Sequence, residues 1–280
     1  MIGQPCADYF DLIYGTSTGA IIAALISSGR TAEETSAKYF EIIPRVFRMS
    51  SPHELSRELR KQGQSIFGNS KFDIFNTLIG IVTTDCDHER PKIFKNNKSQ
   101  SFSRSASFDP GFGATVVDAL LASSAAVPYF EPVRVITSNQ GSPKLIDGGF
   151  VANNPTLFAI TDAIGSLGRK ISDLRILNVG TGVFSTPKPP IVDRFKWRFL
   201  NGFFPAEEFL KTLNANSSSV DFLINSLFPD LRKIRINDSF PQHECGLLTY
   251  EESILRKIHT CGRDSFGARE KEIRTTILDN

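Results

Sequence analysis

Apolar and polar positions change period several times along the chain. Residues 9–14 form a short strand-like run, and Gly15-Thr-Ser-Thr-Gly19 turns it into a helix of small and aliphatic residues over 20–28, ended by Gly29. Residues 31–47 carry apolar positions at helical spacing, and Thr31 with Glu34 three residues on predicts a capping box. The stretch 48–70 is polar and reads as irregular. Apolar runs over 79–84 and 91–94, separated by turn residues 85–89, predict a hairpin. Residues 96–110, rich in Asn, Lys, Ser and Arg, read as a solvated loop.

Further on, 115–124 predicts a helix of small residues, and 133–136 with 144–146 a strand pair across a Ser-Asn-Gln-Gly turn. Asp147-Gly-Gly149 follows, and Asn153-Asn-Pro155 opens a helix to about 164, with Pro near its first turn. Residues 174–179 predict a buried strand closed by Gly180-Thr-Gly182; 187–190 is a Pro-rich loop. Helices are expected over 206–227, 251–263 and from about 266 onward. Strands alternating with helices indicate an α/β fold with a sheet between helical layers. There is no internal repeat and no dividing linker, so a single domain over 1–280 is expected.

A chain of 280 residues is long enough to fold without disulfides or a structural metal. With 20 Gly and 15 Pro it sits near the ordinary share of about 12%, which excludes collagen-like and wholly disordered readings. The 32 basic and 30 acidic residues leave a net charge of +2, so no nucleic-acid polymer is expected as a partner. No apolar stretch approaches the ~20 residues of a membrane span. Cys6, Cys86, Cys245 and Cys261 are scattered, with neither a CxxC nor a nearby His pair, so no metal site is expected. Scattered cysteines and a start without an export signal point to a reducing, cytoplasmic compartment. The 23 Phe against one Trp and five Tyr suit a core or an acyl-chain pocket equally well.

The turn Gly15-Thr16-Ser17-Thr18-Gly19, between a strand and a helix, has the layout of a nucleophile elbow. Glycines permit the tight turn, and the helix N-terminus beside Ser17 favours developing negative charge. A serine that merely caps the helix reads equally well. The next residue, Ala20, is not the Lys a phosphate loop requires, and no dinucleotide fingerprint is present. A serine nucleophile needs a base. Among His53, His88, His243 and His259, the last two stand in the order an α/β-hydrolase would use, but neither sits in a strand-end loop. Asp147 ends a strand and precedes two glycines, as a general base or as an ordinary Asp-Gly turn.

Three stretches together resemble the patatin-like phospholipase family. They are Tyr9-Phe-Asp-Leu-Ile-Tyr-Gly-Thr-Ser-Thr-Gly-Ala-Ile-Ile-Ala23, Ala122-Ser-Ser-Ala-Ala-Val-Pro-Tyr-Phe130 and Leu145-Ile-Asp-Gly-Gly-Phe-Val-Ala-Asn-Asn-Pro155. The similarity runs from about 9 to 182 and more loosely to about 270, closer to bacterial members than to multidomain eukaryotic ones. The resemblance implies a three-layer α/β/α sandwich with a mostly parallel central sheet, its core over 9–182 and a helical remainder over 183–280. It also implies a Ser–Asp dyad: Ser17 as nucleophile in the Gly15–Gly19 motif, and Asp147 as general base in the motif with Gly148 and Gly149. The activity implied is acyl hydrolysis of phospholipids or other glycerolipids, without cofactor or metal. Peripheral membrane contact is compatible with it, and oligomeric state is left open.

Family members carry an Asp-Gly-Gly-Gly-x-Arg-Gly loop on a strand upstream of the serine, whose N–H groups stabilise the oxyanion. Here only residues 1–8 precede the serine strand, so the expectation is a chain shortened at its front, or impaired, with the Thr18 N–H as a partial oxyanion donor. Two further readings follow from the resemblance: a non-catalytic lipid-binding domain, and a nucleotide- or partner-gated effector of the anti-phage kind. Segment 195–204, with Lys196, Trp197 and Arg198 among phenylalanines, reads first as a lid packing over the sheet and second as a lipid-facing surface. Lys92, Lys95, Lys98 and Arg104 read as solvated charges. Asn153 and Asn154 are expected to shape the turn behind Asp147.

Overall fold

The structure is a computed structural model that describes residues 3–97, 100, 109–110, 112–138, 141–185 and 206–278. It divides into two compact units, Met1–Ile171 and Ser172–Asn280.

In the first unit a short helix α1 (Cys6–Tyr9) leads into strand β1 (Leu12–Thr16), and α2 (Thr18–Ser27) follows after a single residue, Ser17. Helix α3 (Ala32–Phe47) starts at Thr31, whose hydroxyl accepts the Glu34 N–H while the Glu34 carboxylate accepts the Thr31 N–H; the expected capping box is present. Helix α4 (Pro52–Phe67) corrects the expectation of irregular structure over 48–70. Its Ser51 cap, Pro at the first turn, and Leu55, Leu59 and Gln62 buried at helical spacing make it amphipathic despite its polar content.

Strands β2 (Leu78–Asp85) and β3 (Arg90–Lys95) form the expected hairpin, and β4 (Asp109–Pro110) pairs with β3. Helix α5 (Val116–Ser123) is capped by Thr115. Strand β5 (Val133–Arg134) pairs antiparallel with β6 (Lys144–Asp147), and two short helices follow, α6 (Gly149–Ala152) and α7 (Thr156–Thr161). The sheet is mixed rather than mostly parallel: β1–β2 and β3–β4 are parallel, while β2–β3, β2–β6 and β5–β6 are antiparallel. The reason lies in the connections. Residues 86–89 can turn a hairpin but cannot make the crossover that parallel neighbours need. Val82 packs with Ile93 beneath Ala152, Val151 and Phe158 of α6 and α7. Ile81 and Thr83, on the opposite face by strand alternation, are equally buried, and α2 and α5 lie against β2. The fold is an α/β sandwich, as expected.

The second unit holds β7 (Arg175–Val179), β8 (Val183–Ser185), α8 (Ala206–Leu227), β9 (Arg232–Ile236), β10 (Ser239–Glu244) and α9 (Glu252–Ile273). It is therefore not purely helical past 183: β9 pairs parallel with β7, and β10 with β8. The alternation of Arg232-Lys-Ile-Arg-Ile236, with Ile234 and Ile236 buried, is the signal for β9. Strand β7 is half-buried rather than fully buried, and Val179 is exposed. Arg235 in β9 joins three elements, donating to Asn178 of β7 and Ser217 of α8 and pairing with Asp221 one turn further along α8. The two helices expected near the end are one continuous α9.

Candidate active site

The site follows from how strands share one edge of β2. Strand β1 pairs parallel with Leu78–Val82, ending with Thr16 opposite Val82. Strand β6 pairs antiparallel with the remainder of β2, ending with Asp147 opposite Thr83. Because β3 occupies the other edge, β1 and β6 lie end to end, with their C-terminal ends facing each other at Val82 and Thr83. Ser17 and Asp147 leave those ends. Their side chains meet: the Ser17 hydroxyl donates to Asp147 Oδ2 at 2.6 Å.

Two glycines make this junction fit. A Cβ on Gly15 would stand 2.4 Å from the Gly19 carbonyl oxygen, because α2 folds straight back over the strand end. A Cβ on Gly148 would stand 2.2 Å from the Val82 oxygen, where β1, β2 and β6 converge. Gly19, expected to share in the tightness of the turn, instead faces open space. Ser17 itself adopts φ 55° and ψ −127°, a left-handed conformation that strains a residue bearing a Cβ. Such strain is held by its surroundings. The Ser17 N–H donates to the Ser123 hydroxyl at 2.9 Å, and Thr16 donates from its hydroxyl to the Ala152 carbonyl at 2.8 Å.

Asp147 is buried, and its other oxygen accepts the Gly149 N–H at 2.7 Å. Burial pushes its carboxyl up to about 6, against the smaller lowering effects of the Ser17 and Gly149 hydrogen bonds. A carboxylate of that basicity takes a proton more readily than an ordinary aspartate. The N–H groups of Thr18 and Gly19, in the first turn of the ten-residue α2, have no acceptor among the described residues. They stand beside Ser17 at the positive end of the helix, a setting that favours an oxyanion.

His53 binds Glu131 and His88 binds Asp85, both at exposed positions of the first unit, while His243 and His259 lie in β10 and α9 of the second. Asn154 accepts from the N–H and hydroxyl of Thr156, shaping the turn that starts α7. Lys92 and Lys95 correct the expectation of solvated charges: both are 1% exposed. Lys95 pairs with Asp162 at 2.6 Å, and Asp162 accepts the Tyr14 hydroxyl at 2.5 Å. Lys98, Arg104 and the segment 195–204 lie outside the described residues. Among the described residues no group of His, Cys, Asp and Glu could hold a metal ion, and no helix is long and apolar enough to cross a membrane.

Ser123 lies within the block 122–130, but nothing in the sequence marks it for a role.

The family model for patatin-like phospholipases matches residues 3–160. Over 99% of its length the chain is 41% identical to a cUMP-AMP-activated phospholipase of Escherichia coli. Over 64% it is 30% identical to a cGAMP-activated phospholipase of Vibrio cholerae, and over 91% it is 29% identical to patatin-like protein 2 of Arabidopsis thaliana. The chain spans 86% of the first relative's length, 54% of the second's and 64% of the third's.

Proposed function

The chain belongs to the patatin-like phospholipase family and is a hydrolase, and from that premise we propose that it cleaves glycerolipid acyl esters through Ser17 and Asp147. The observation that carries this reading is the 2.6 Å hydrogen bond from the Ser17 hydroxyl to a buried carboxylate. Ser17 Oγ attacks the ester carbonyl as its proton passes to Asp147 Oδ2. The carbonyl oxygen takes the negative charge within reach of the Thr18 N–H. One such donor contributes about 10²–10³ in turnover. Collapse breaks the ester bond, and the departing alcohol recovers the proton from Asp147, leaving an acyl group on Ser17. Water then attacks that acyl-enzyme, gives its proton to Asp147, and the fatty acid leaves as Ser17 regains its hydrogen.

Hydrolysis of phospholipid vesicles, read as fatty acid released, tests the reading. Ser17→Ala and Asp147→Asn are each expected to lower turnover by at least about 10³-fold. A folded Ser17→Ala variant with wild-type turnover would remove Ser17 as the nucleophile, whereas a wild-type protein without turnover would return the fold to a lipid-binding role.

A second reading adds a gate. The relative that matches 99% of this chain is named for activation by cUMP-AMP, and that similarity supports a cyclic dinucleotide as activator here too. Turnover is expected to rise at least about tenfold, a shift of about 1.4 kcal/mol in the active population, when cUMP-AMP is added. Equal rates with and without it would leave the hydrolase ungated by that nucleotide.

A further inference from the structure

Ser123, the last residue of α5, is fully buried, and its oxygen atoms meet three segments of the first unit. Its hydroxyl accepts the Ser17 N–H at 2.9 Å and donates to the Val82 carbonyl at 2.7 Å. Its carbonyl accepts the Gly148 N–H at 3.2 Å. Two residues further, the Ala125 carbonyl accepts the Asp147 N–H at 3.0 Å. The end of α5 thus grips the backbone on both sides of the Ser17–Asp147 contact, at the β2 position where β1 and β6 converge.

Filling space does not need a hydroxyl here. Ala119 and Ala122, on the same helix, are as buried as Ser123 and carry none. A hydroxyl has a single hydrogen to donate, and spending it on Val82 turns a lone pair toward Ser17. The recipient is the residue with the strained backbone. Left-handed conformations in residues other than glycine persist only when several contacts fix them together. Ser123 supplies such a contact to Ser17, and its carbonyl supplies one to the turn that presents Asp147.

We propose that Ser123 is a positioning residue for the dyad, its hydroxyl holding Ser17 in the conformation that sets Oγ against Asp147 and its carbonyl holding the Asp147-Gly148 turn. This rests on the hydrolase reading above, and it assigns Ser123 no contact with substrate. Without the hydroxyl, the Ser17 backbone relaxes and Oγ moves from the carboxylate. A displacement of about 1 Å in such a pair is enough for about 10²-fold in rate. The influences on the Asp147 carboxyl are its burial, the Ser17 hydroxyl and the Gly149 N–H. Losing the Ser17 bond removes a lowering influence, so the acid limb of the rate profile moves to higher pH.

The test compares wild type, Ser123→Ala, Ser123→Thr and Ser17→Ala on a soluble nitrophenyl ester across pH 4.5–9, with cUMP-AMP present and rates referred to folded protein. Ser123→Ala is expected to lower kcat about 10²-fold with KM within about twofold, and to move the acid limb upward. Ser123→Thr, which keeps the hydroxyl, is expected to recover most of kcat and the wild-type limb. If Ser123→Ala does not fold, Ser123→Cys, nearly isosteric but a weak acceptor, carries the same two readouts. Ser17→Ala inactive while Ser123→Ala (or Ser123→Cys in its place) keeps wild-type kcat and acid limb would overturn the role of Ser123 alone. Activity retained in Ser17→Ala would overturn the dyad itself.

Discussion

At the scale of single residues, Asp147 works under opposing demands. Burial raises its carboxyl from 3.8 to about 6, which improves it as a base. The folded chain therefore binds that proton more tightly than the unfolded chain does. The stability this contributes is fully present below about pH 4 and is lost as pH rises through about 6. Asp147→Asn cannot ionise, and its amide can still meet Ser17 and Gly149. It is expected to be inactive yet more stable than wild type by about 1–3 kcal/mol at pH 8, with the gap closing toward pH 4, as read by urea unfolding at both. A variant less stable at pH 8 would mean the buried charge is not strained. The same carboxylate sets the rate profile: kcat/KM, which reports the free enzyme, is expected to rise with pH through a midpoint near 6, and a flat profile from pH 5 to 8 would exclude Asp147 as the base. Ser17 and Asp147 stand out as candidates in the sequence because each sits at a strand end beside glycines, and only the family resemblance joins them as a dyad. Ser123 does not stand out, since a buried serine at a helix end has the signature of any small residue until its neighbours are known.

At the scale of elements, the site is held by bonds from β1 to the segment that follows Asp147. Thr16 reaches the end of α6, and Tyr14 reaches Asp162 just beyond α7, where Lys95 of β3 supplies the opposing charge. Gln100 adds a hydrogen bond to the same carboxylate at 3.4 Å. Burial pushes the Lys95 ammonium down, and the Asp162 carboxylate opposes that shift. Removing one partner of such a pair strands the other. Lys95→Met is expected to destabilise the chain by about 3–5 kcal/mol in urea unfolding, and the Lys95→Met, Asp162→Asn double variant to recover part of that loss. Additive losses in the double variant would mean the two charges do not act together. This cluster was hidden in the sequence: with 148 positions separating Tyr14 from Asp162, only the fold joins them, and lysines default to solvent. Helix α4 departs from the expected irregular stretch for a related reason: its charged face masks the helical spacing of Leu55, Leu59 and Gln62. The β2–β3 hairpin and the Thr31–Glu34 cap, set by neighbouring residues, were legible throughout.

At the scale of the whole molecule, 32 basic and 30 acidic residues give no strong attraction to an anionic lipid surface. Hydrolysis of anionic vesicles is expected to change less than about threefold between 0.05 and 0.5 M NaCl, and a steep fall with salt would reveal a basic docking face. The dyad, its support from Ser123 and the Thr18 and Gly19 N–H groups of α2 all fall within Met1–Ile171. The most direct measurement is the intact mass of the whole chain after reaction with a fluorophosphonate, followed by peptide mapping. A Ser17–Asp147 dyad requires one adduct per chain, on Ser17, formed at least about 10²-fold more slowly by Asp147→Asn. An adduct on another residue, or labelling of Asp147→Asn at the wild-type rate, would contradict it.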